Sequence, residues 1–246
     1  LACHDSELNS SAPQNCVWTK QIATTLLWIK AFIAGQSGTV SRLYTFDAFH
    51  GIKAPVDITT DASIWGVGGF ISVNNVPLAW FSDVITEHDE RILGVKRGDP
   101  DGQQTFEGLA LLIALRLWWK MWQTKRARLC LRSDNVGALT IYSAVKGRSS
   151  SLNLLAREYA LDMGQCTFEP QVIEHIPGIT NLVADALSRR TDPSYKNTWQ
   201  VPSFLSNAKR VFPATRVESW WRSRVSPGSF ARKRVWGGRT LDCLRC

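Results

Sequence analysis

The stretch Val56-Asp57-Ile58-Thr59-Thr60-Asp61-Ala62-Ser63-Ile64-Trp65-Gly66-Val67-Gly68-Gly69-Phe70 decides how this chain is read. Val56, Ile58 and Thr60 alternate with Asp57, Thr59 and Asp61, the period-2 pattern of a strand with one face turned inward. Asp61 falls at the far end of that strand. Ala62-Ser63 turn the chain, and Gly66, Gly68 and Gly69 lighten a second strand that ends in Phe70-Ile71. A carboxylate at a strand end, followed by small residues that let something approach closely, suits a metal or catalytic position. Read alone, the stretch favours a simpler account, an Asp that opens a hairpin turn.

Working outward, Val76 to Phe81 is a third strand. Ser82 to Asp101 is polar, charged and Gly-bearing, and reads as a loop. Thr105 opens a strong helix from Phe106 to Trp122. Leu109, Leu112, Ile113, Leu115, Leu117 and Trp119 make it apolar around much of its circumference, so it is expected to be buried. Arg128 to Ser133 is a short strand with Leu129 and Leu131 on one face and Cys130 on the other. Asp134-Asn135 then lead into a helix through Val145. A short polar link, Lys146 to Ser151, precedes a helix from Leu152 to Met163 that Gly164 ends. Thr167 to His175 is a strand, Ile176 to Thr180 a turn, and Asn181 to Arg189 a last helix. The order β-β-β-α-β-α-α-β-α predicts an α/β fold, a mixed five-stranded sheet with helices on both faces.

The flanks differ in character. Residues 1–16 are polar. Trp18 to Ala34 has Ile22, Leu26, Ile29 and Ile33 at helical spacing, and Gly35-Gln36-Ser37-Gly38 stop it. Residues 1–54 are therefore read as a helical connector, 55–192 as the central domain, and 193–246 as a basic tail. Prolines and irregularly placed tryptophans remove any periodicity from that tail, which is expected to be poorly ordered. Of the net charge of +8, residues 193–246 supply +9, with 11 Lys or Arg against 2 Asp or Glu. A basic segment of this kind suits a polyanion such as nucleic acid, or a solvated tail without a fixed partner.

The six cysteines form no framework. Cys130 and Cys166 lie in apolar runs and read as buried thiols, and Cys243-Leu244-Arg245-Cys246 is a lone C-x-x-C with no second pair, weak as a zinc or redox motif. The pattern suits a reducing, intracellular compartment, cytoplasm or nucleus. No run approaches the ~18 apolar residues of a membrane span, so no membrane partner is expected.

Four carboxylates stand at element ends or in short helices: Asp61, Glu107, Asp134 and Asp185. Glu107 and Asp185 fall in otherwise apolar sequence, where an unpaired carboxylate is costly. Each has an ordinary explanation alone. Glu107 and Asp134 could be N-terminal helix charges, and Asp185 could pair with Arg189 at i, i+4. As a set of hard oxygen donors they suit Mg²⁺, or Mn²⁺, in preference to zinc. Two such ions would clamp the attacking and leaving oxygens of a phosphodiester.

Four motifs then coincide. They are Thr60-Asp61-Ala62-Ser63 with Gly66 and Gly68, Thr105-Phe106-Glu107-Gly108-Leu109-Ala110-Leu111, Ser133-Asp134-Asn135 with Ala138-Leu139, and His175-Ile176-Pro177-Gly178 with Asn181 and Ala184-Asp185-Ala186-Leu187-Ser188-Arg189. Together they resemble the ribonuclease H domain of a retrotransposon reverse transcriptase, of the gypsy-like or tyrosine-recombinase type. The likeness spans roughly residues 55–192, and the last motif is the most specific.

The resemblance implies an endonuclease that cuts the RNA strand of RNA–DNA hybrids with two Mg²⁺ ions. Asp61 would bridge both ions, Glu107 and Asp185 would complete one site each, and Asp134 would ligate and orient the attacking water. His175 would assist proton transfer or product release. Gln104, Asn135 and Asn181 are candidates for substrate contacts. The link 146–151 is too short for the basic protrusion of cellular members. No Tyr-x-Asp-Asp polymerase signature occurs, so the chain reads as the C-terminal part of a reverse transcriptase, with a polymerase domain as the expected partner. The competing expectation is a catalytically silent retroelement remnant that serves as a nucleic-acid-binding or structural module.

Overall fold

The computed structural model describes residues 26–27, 29–31, 33–34, 52–122, 127–164, 169–195, 197–224, 235–236 and 239–240. The chain divides into two compact units, Leu43–Arg224 and Leu1–Arg42 with Val225–Cys246. In the smaller unit the described residues between 26 and 33 are helical, inside the helix expected there. Val235–Trp236 pair antiparallel with Arg239–Thr240. The connector Arg42–His50, Cys166 and the C-x-x-C motif lie outside the described residues.

The larger unit is built on β1 (Ile52–Ala62), β2 (Gly66–Val73) and β3 (Val76–Val84), an antiparallel meander. Asn74 and Asn75 close the β2–β3 hairpin, both at positive φ. This is the two-residue turn whose twist matches that of the flanking strands, and Asn tolerates the left-handed region better than most residues. β4 (Ala127–Ser133) joins β1 in parallel and β5 (Glu169–His175) joins β4 in parallel. Lys209–Arg210 form β6, parallel to β3, so the mixed sheet has six strands in the order β5-β4-β1-β2-β3-β6. The alternation read in β1 has its physical cause here. Val56 and Ile58 are buried in the main core, and Thr59, on the other face, lies opposite Phe70.

Helices cover both faces. One carries α2 (Gln103–Leu117), α3 (Val136–Ala144) and α4 (Ser150–Met163). Phe106, Leu109, Leu112, Ile141 and Leu155 from these helices pack with Ile58, Val67, Ile71 and Phe81 of the sheet. The opposite face carries α5 (Leu182–Ser188), whose Ala184 and Leu187 pack on Phe70, Trp80 and Leu205. A Cβ on Gly68 would lie 2.5 Å from Leu187 backbone carbon and Ser188 nitrogen, and one on Gly66 would lie 2.8 Å from the Ser188 carbonyl. These glycines therefore admit the chain's own helix. The close approach expected beside them is made by α5.

Three further expectations differ from the structure. The segment 82–101 contains a helix, α1 (Glu87–Leu93), started by a Thr86/Asp89 capping box and stopped by Gly94 at φ 71°. The long helix stops at Leu117, and Trp119–Met121 continue as a 3-10 turn. The segment 193–224, expected without order, forms short 3-10 turns and β6 and lies within the larger unit. Its attachment is ionic and aromatic, which a search for apolar periods does not detect. Arg216 is buried, with Nε 2.9 Å from both oxygens of Asp89 and Nη1 2.5 Å from Asp83 Oδ2. Arg222 Nη1 donates to Asp162 Oδ1 at 2.8 Å, beside Arg116, which pairs with Glu158 and Asp162 at 2.7 Å. Trp221 is wholly buried in the main core. Among the described residues no helix is long and apolar enough to cross a membrane.

Candidate metal centre

β1 and β4 are adjacent and parallel, with Thr59 opposite Arg132. The same register carried forward brings Asp61, near the end of β1, beside Asp134, which directly follows β4. Glu107 reaches the same place from the second turn of α2. Ligand oxygens of Asp61, Glu107 and Asp134 all lie within 4.8 Å of one another. Crevices at the carboxyl ends of parallel strands are common ligand sites in α/β proteins.

Asp61 and Glu107 are 4% and 3% exposed, and Asp134 is half-buried. Among the described residues none of the three forms an ion pair with a Lys, Arg or His. Burial pushes Asp61 up to about 7; the Ser188 hydroxyl opposes this, and the charges of Asp134 and Asp185 add to it. Glu107 is held well above the ordinary range by burial, then by Asp61 and Asp134. Buried carboxylates without counter-charges are unstable as anions. A hard divalent cation supplies the missing charge, and three carboxylates suit Mg²⁺ or Mn²⁺. The donor set present thus fits such an ion.

Neutral donors fix the carboxylates in place. Ser188 Oγ donates to Asp61 Oδ2 at 2.7 Å, and Ser133 Oγ to Glu107 Oε2 at 3.4 Å. Gln103 Nε2 donates to Glu107 Oε1 at 3.2 Å and to the Ala62 carbonyl. These three residues were not singled out in the sequence. Gln103 lies one helical turn before Glu107, a spacing that brings side chains together. Ser188 lies inside the last motif, but nothing in its position announces a partner 127 residues away.

The other predicted residues are placed variously. Asp185 is outside the group of three, and its Oδ1 accepts from Arg189 Nε at 2.7 Å. This is the i, i+4 pair considered from the sequence. Asp185 is near enough to raise Asp61 electrostatically. His175 ends β5, is exposed, and has Nε2 3.0 Å from the Asp134 carbonyl. In its turn, a Cβ on Gly178 would lie 3.1 Å from Asp134 Oδ2, so the glycine keeps that side of the carboxylate open. Asn135 Oδ1 caps α3 by accepting from Ala138 N at 3.0 Å. Gln104 is exposed and lies over Gly137 at the start of α3. Asn181 is buried, and its Nδ2 donates to the Thr60 carbonyl at 3.2 Å while Oδ1 has no partner.

The larger unit is thus a mixed α/β domain with a buried carboxylate centre at the ends of two parallel strands, one that forms no ion pair among the described residues. No family model matches the chain, and no curated protein matches it. Among solved structures it is similar to LC11-RNase H1, isolated from compost by a metagenomic approach, with a TM-score of 0.42 and 18% identity over 59% of this chain and 99% of that one. It is also similar to RNase H1 from the halophilic archaeon Halobacterium salinarum NRC-1, with a TM-score of 0.38 and 21% identity over 56% of this chain and 96% of that one.

Proposed function

We propose that the larger unit is a metal-dependent endonuclease that hydrolyses the RNA strand of RNA–DNA hybrids, as part of a retroelement reverse transcriptase. The observation that carries this reading is the convergence of Asp61, Glu107 and Asp134 with no ion pair to a protein cation among the described residues. The four motifs of the sequence support it. Residues 55–192 would form the nuclease body, residues 1–54 the link toward a polymerase domain, and the basic segment from 193 a further contact with nucleic acid.

Two bound divalent ions would supply charge to the attacking and leaving oxygens of an in-line hydrolysis. The chain's own residues hold the geometry. Asp61, Glu107 and Asp134 would hold the cations, and Asp185 would add a ligand from α5. Ser188, Ser133 and Gln103 restrict the carboxylate rotamers. His175, with its Nε2 on the Asp134 carbonyl, is the candidate to move a proton at the edge of the site. RNA is told from DNA by 2′-hydroxyl contacts, for which Gln104 and Asn135 are proposed, whereas buried Asn181 is held on the Thr60 carbonyl.

The silent-module reading draws on the Asp185–Arg189 pair, which keeps one carboxylate out of the group of three. A labelled RNA–DNA hybrid incubated with the purified chain, in Mg²⁺ and in EDTA, separates the two. The nuclease reading expects Mg²⁺-dependent cuts that leave 3′-hydroxyl and 5′-phosphate ends, and their loss in Asp61→Asn and Asp134→Asn. Cutting by either variant at the parent rate would overturn the site assignment. An inert parent chain would favour the silent module.

A further inference from the structure

The buried arginines that hold the fold together are all neutralised. Arg116 faces Glu158 and Asp162, Arg216 faces Asp83 and Asp89, and Arg222 faces Asp162. Arg190 and Arg210 are different. Both are partly buried, and neither has a carboxylate ion-pair partner among the described residues. Arg210 Nε is buried without a hydrogen-bond partner. The two lie close enough for each other's charge to be felt, since burial and then Arg210 hold the Arg190 guanidinium below its ordinary range. Asp83, already paired with Arg216, offsets this only in part, and two like charges brought together with so little counter-charge are costly to the fold.

Aromatic rings surround these two cations. The parallel pairing of β6 with β3 sets Arg210 opposite Trp80. Its guanidinium lies 5.3 Å from the Trp80 ring centroid and 4.6 Å from that of Phe212. Trp80 meets Trp199 at 6.3 Å, and Arg190 lies 5.6 Å over Trp199. Arg189 lies 5.9 Å over Tyr195. The result is a row, Phe212, Arg210, Trp80, Trp199 and Arg190, in which two guanidinium groups flank a pair of tryptophan rings. Phe212, at one end of the row, is 70% exposed, and two exposed rings stand nearby: Phe204, 47% exposed, meets Phe70, which lies opposite Trp80, and Tyr195, 40% exposed, lies under Arg189. Residues 189–212 hold five Lys or Arg against one Asp.

We propose that this row is a binding surface for single-stranded nucleic acid, with phosphates on Arg190 and Arg210 and bases stacked on Phe212 and its exposed neighbours. Interleaved cations and aromatic faces are the elements that hold single strands without sequence preference. A phosphate supplies the ion-pair partner that neither arginine has among the described residues, and cation–π contact already orders their side chains for it. Most of the row, Trp199, Arg210 and Phe212, lies beyond residue 192, outside the stretch that carries the four motifs. Arg190 is two residues past Ser188, whose hydroxyl holds Asp61. This surface deepens the nuclease reading by giving the unpaired end of a substrate a place to lie, and it is measurable without cleavage.

The test is fluorescence anisotropy of a labelled single-stranded DNA oligonucleotide titrated with the full chain in EDTA, at several salt concentrations. Arg190→Gln/Arg210→Gln is expected to weaken binding at least tenfold. It should also lower the magnitude of the log–log salt slope by about 1.4, from roughly 0.7 for each single-strand phosphate that is no longer neutralised. Phe212→Ala, at an exposed site that leaves folding intact, is expected to weaken binding at least fivefold with the slope kept. Parent-like binding by both variants overturns the proposal, as does absence of binding by the parent chain. Competition by poly-glutamate as effective as that by unlabelled oligonucleotide also overturns it, because rings would then play no part. A chain that cuts hybrid but whose variants bind as the parent does sinks this surface alone. A chain that binds through it and cuts nothing sinks the nuclease reading alone.

Discussion

Replacing Asp61 by Asn should destroy the metal centre and, in the absence of metal, stabilise the protein. The Asp61 carboxyl is pushed from 3.8 to about 7 by burial and its acidic neighbours. At about 1.4 kcal/mol per pH unit, that displacement amounts to about 4 kcal/mol held against folding. The sign follows from proton linkage. Between pH 4 and 7 the folded chain binds this proton and the unfolded chain has released it, so stability falls as pH rises through that window. Above 7 the full cost is present. Asn keeps the shape, and its carbonyl oxygen still accepts from Ser188 Oγ. It also removes one of the charges that raise Glu107. Urea unfolding in EDTA should therefore show Asp61→Asn about 2–4 kcal/mol more stable than the parent at pH 8. The gain should shrink to about 1 kcal/mol at pH 4.5, near the unfolded carboxyl's own titration. Saturating Mg²⁺ should stabilise the parent, by about 2.7 kcal/mol at a hundred times Kd, and leave the variant unmoved. A variant less stable than the parent at pH 8, or a gain independent of pH, would refute the claim that Asp61 is a strained, uncompensated charge.

Mg²⁺ binding should expel protons, because ligands must be deprotonated. Calorimetric titrations in buffers of different ionisation enthalpy should show about one to two protons released at pH 6 and affinity falling at least tenfold per pH unit below 7; pH-independent binding would contradict the raised carboxyls. Arg216→Ala strands the buried Asp89 and should cost about 3–5 kcal/mol, read by urea unfolding, with faster proteolysis within 193–224. Gly68→Ala drives a methyl into the backbone of α5 and should cost about 1–3 kcal/mol. It should also slow hybrid cleavage, since α5 carries both Ser188 and Asp185; an unchanged rate would separate that helix from the site.

The parts legible in the sequence are those built from local periodicity. The alternation through Val56–Asp61 and the dense apolar run through Leu109–Leu115 report burial directly, so strands and helices on both faces of a sheet follow. Glu107 was recognisable because apolar surroundings make a lone acid conspicuous, and Asp61 and Asp134 because each stands at the end of a strand pattern. α1 was hidden by its polarity, although the Thr86/Asp89 capping box was there to be read. The fastening of 193–224 could not be read, because each clamp joins an arginine to acids far away in sequence, as Arg216 is to Asp89. Ion pairs of that span leave no periodic trace. The same limit explains why Gln104 stands out no less than Gln103 in the sequence. Only the helix's rotation shows which of two neighbouring amides faces Glu107.

β6 is only Lys209 and Arg210, yet it is the outermost strand of the sheet. A sheet margin with free amides and carbonyls invites another strand to add on, and in crowded conditions that growth has no natural end. Here the margin of β3 is occupied by two residues of like charge, too short to template a third chain and repulsive toward a second copy of themselves. A protein trimmed to its motif-bearing part, ending at 192, would bare the margin of β3. Such a fragment should form lateral assemblies that the longer chain avoids.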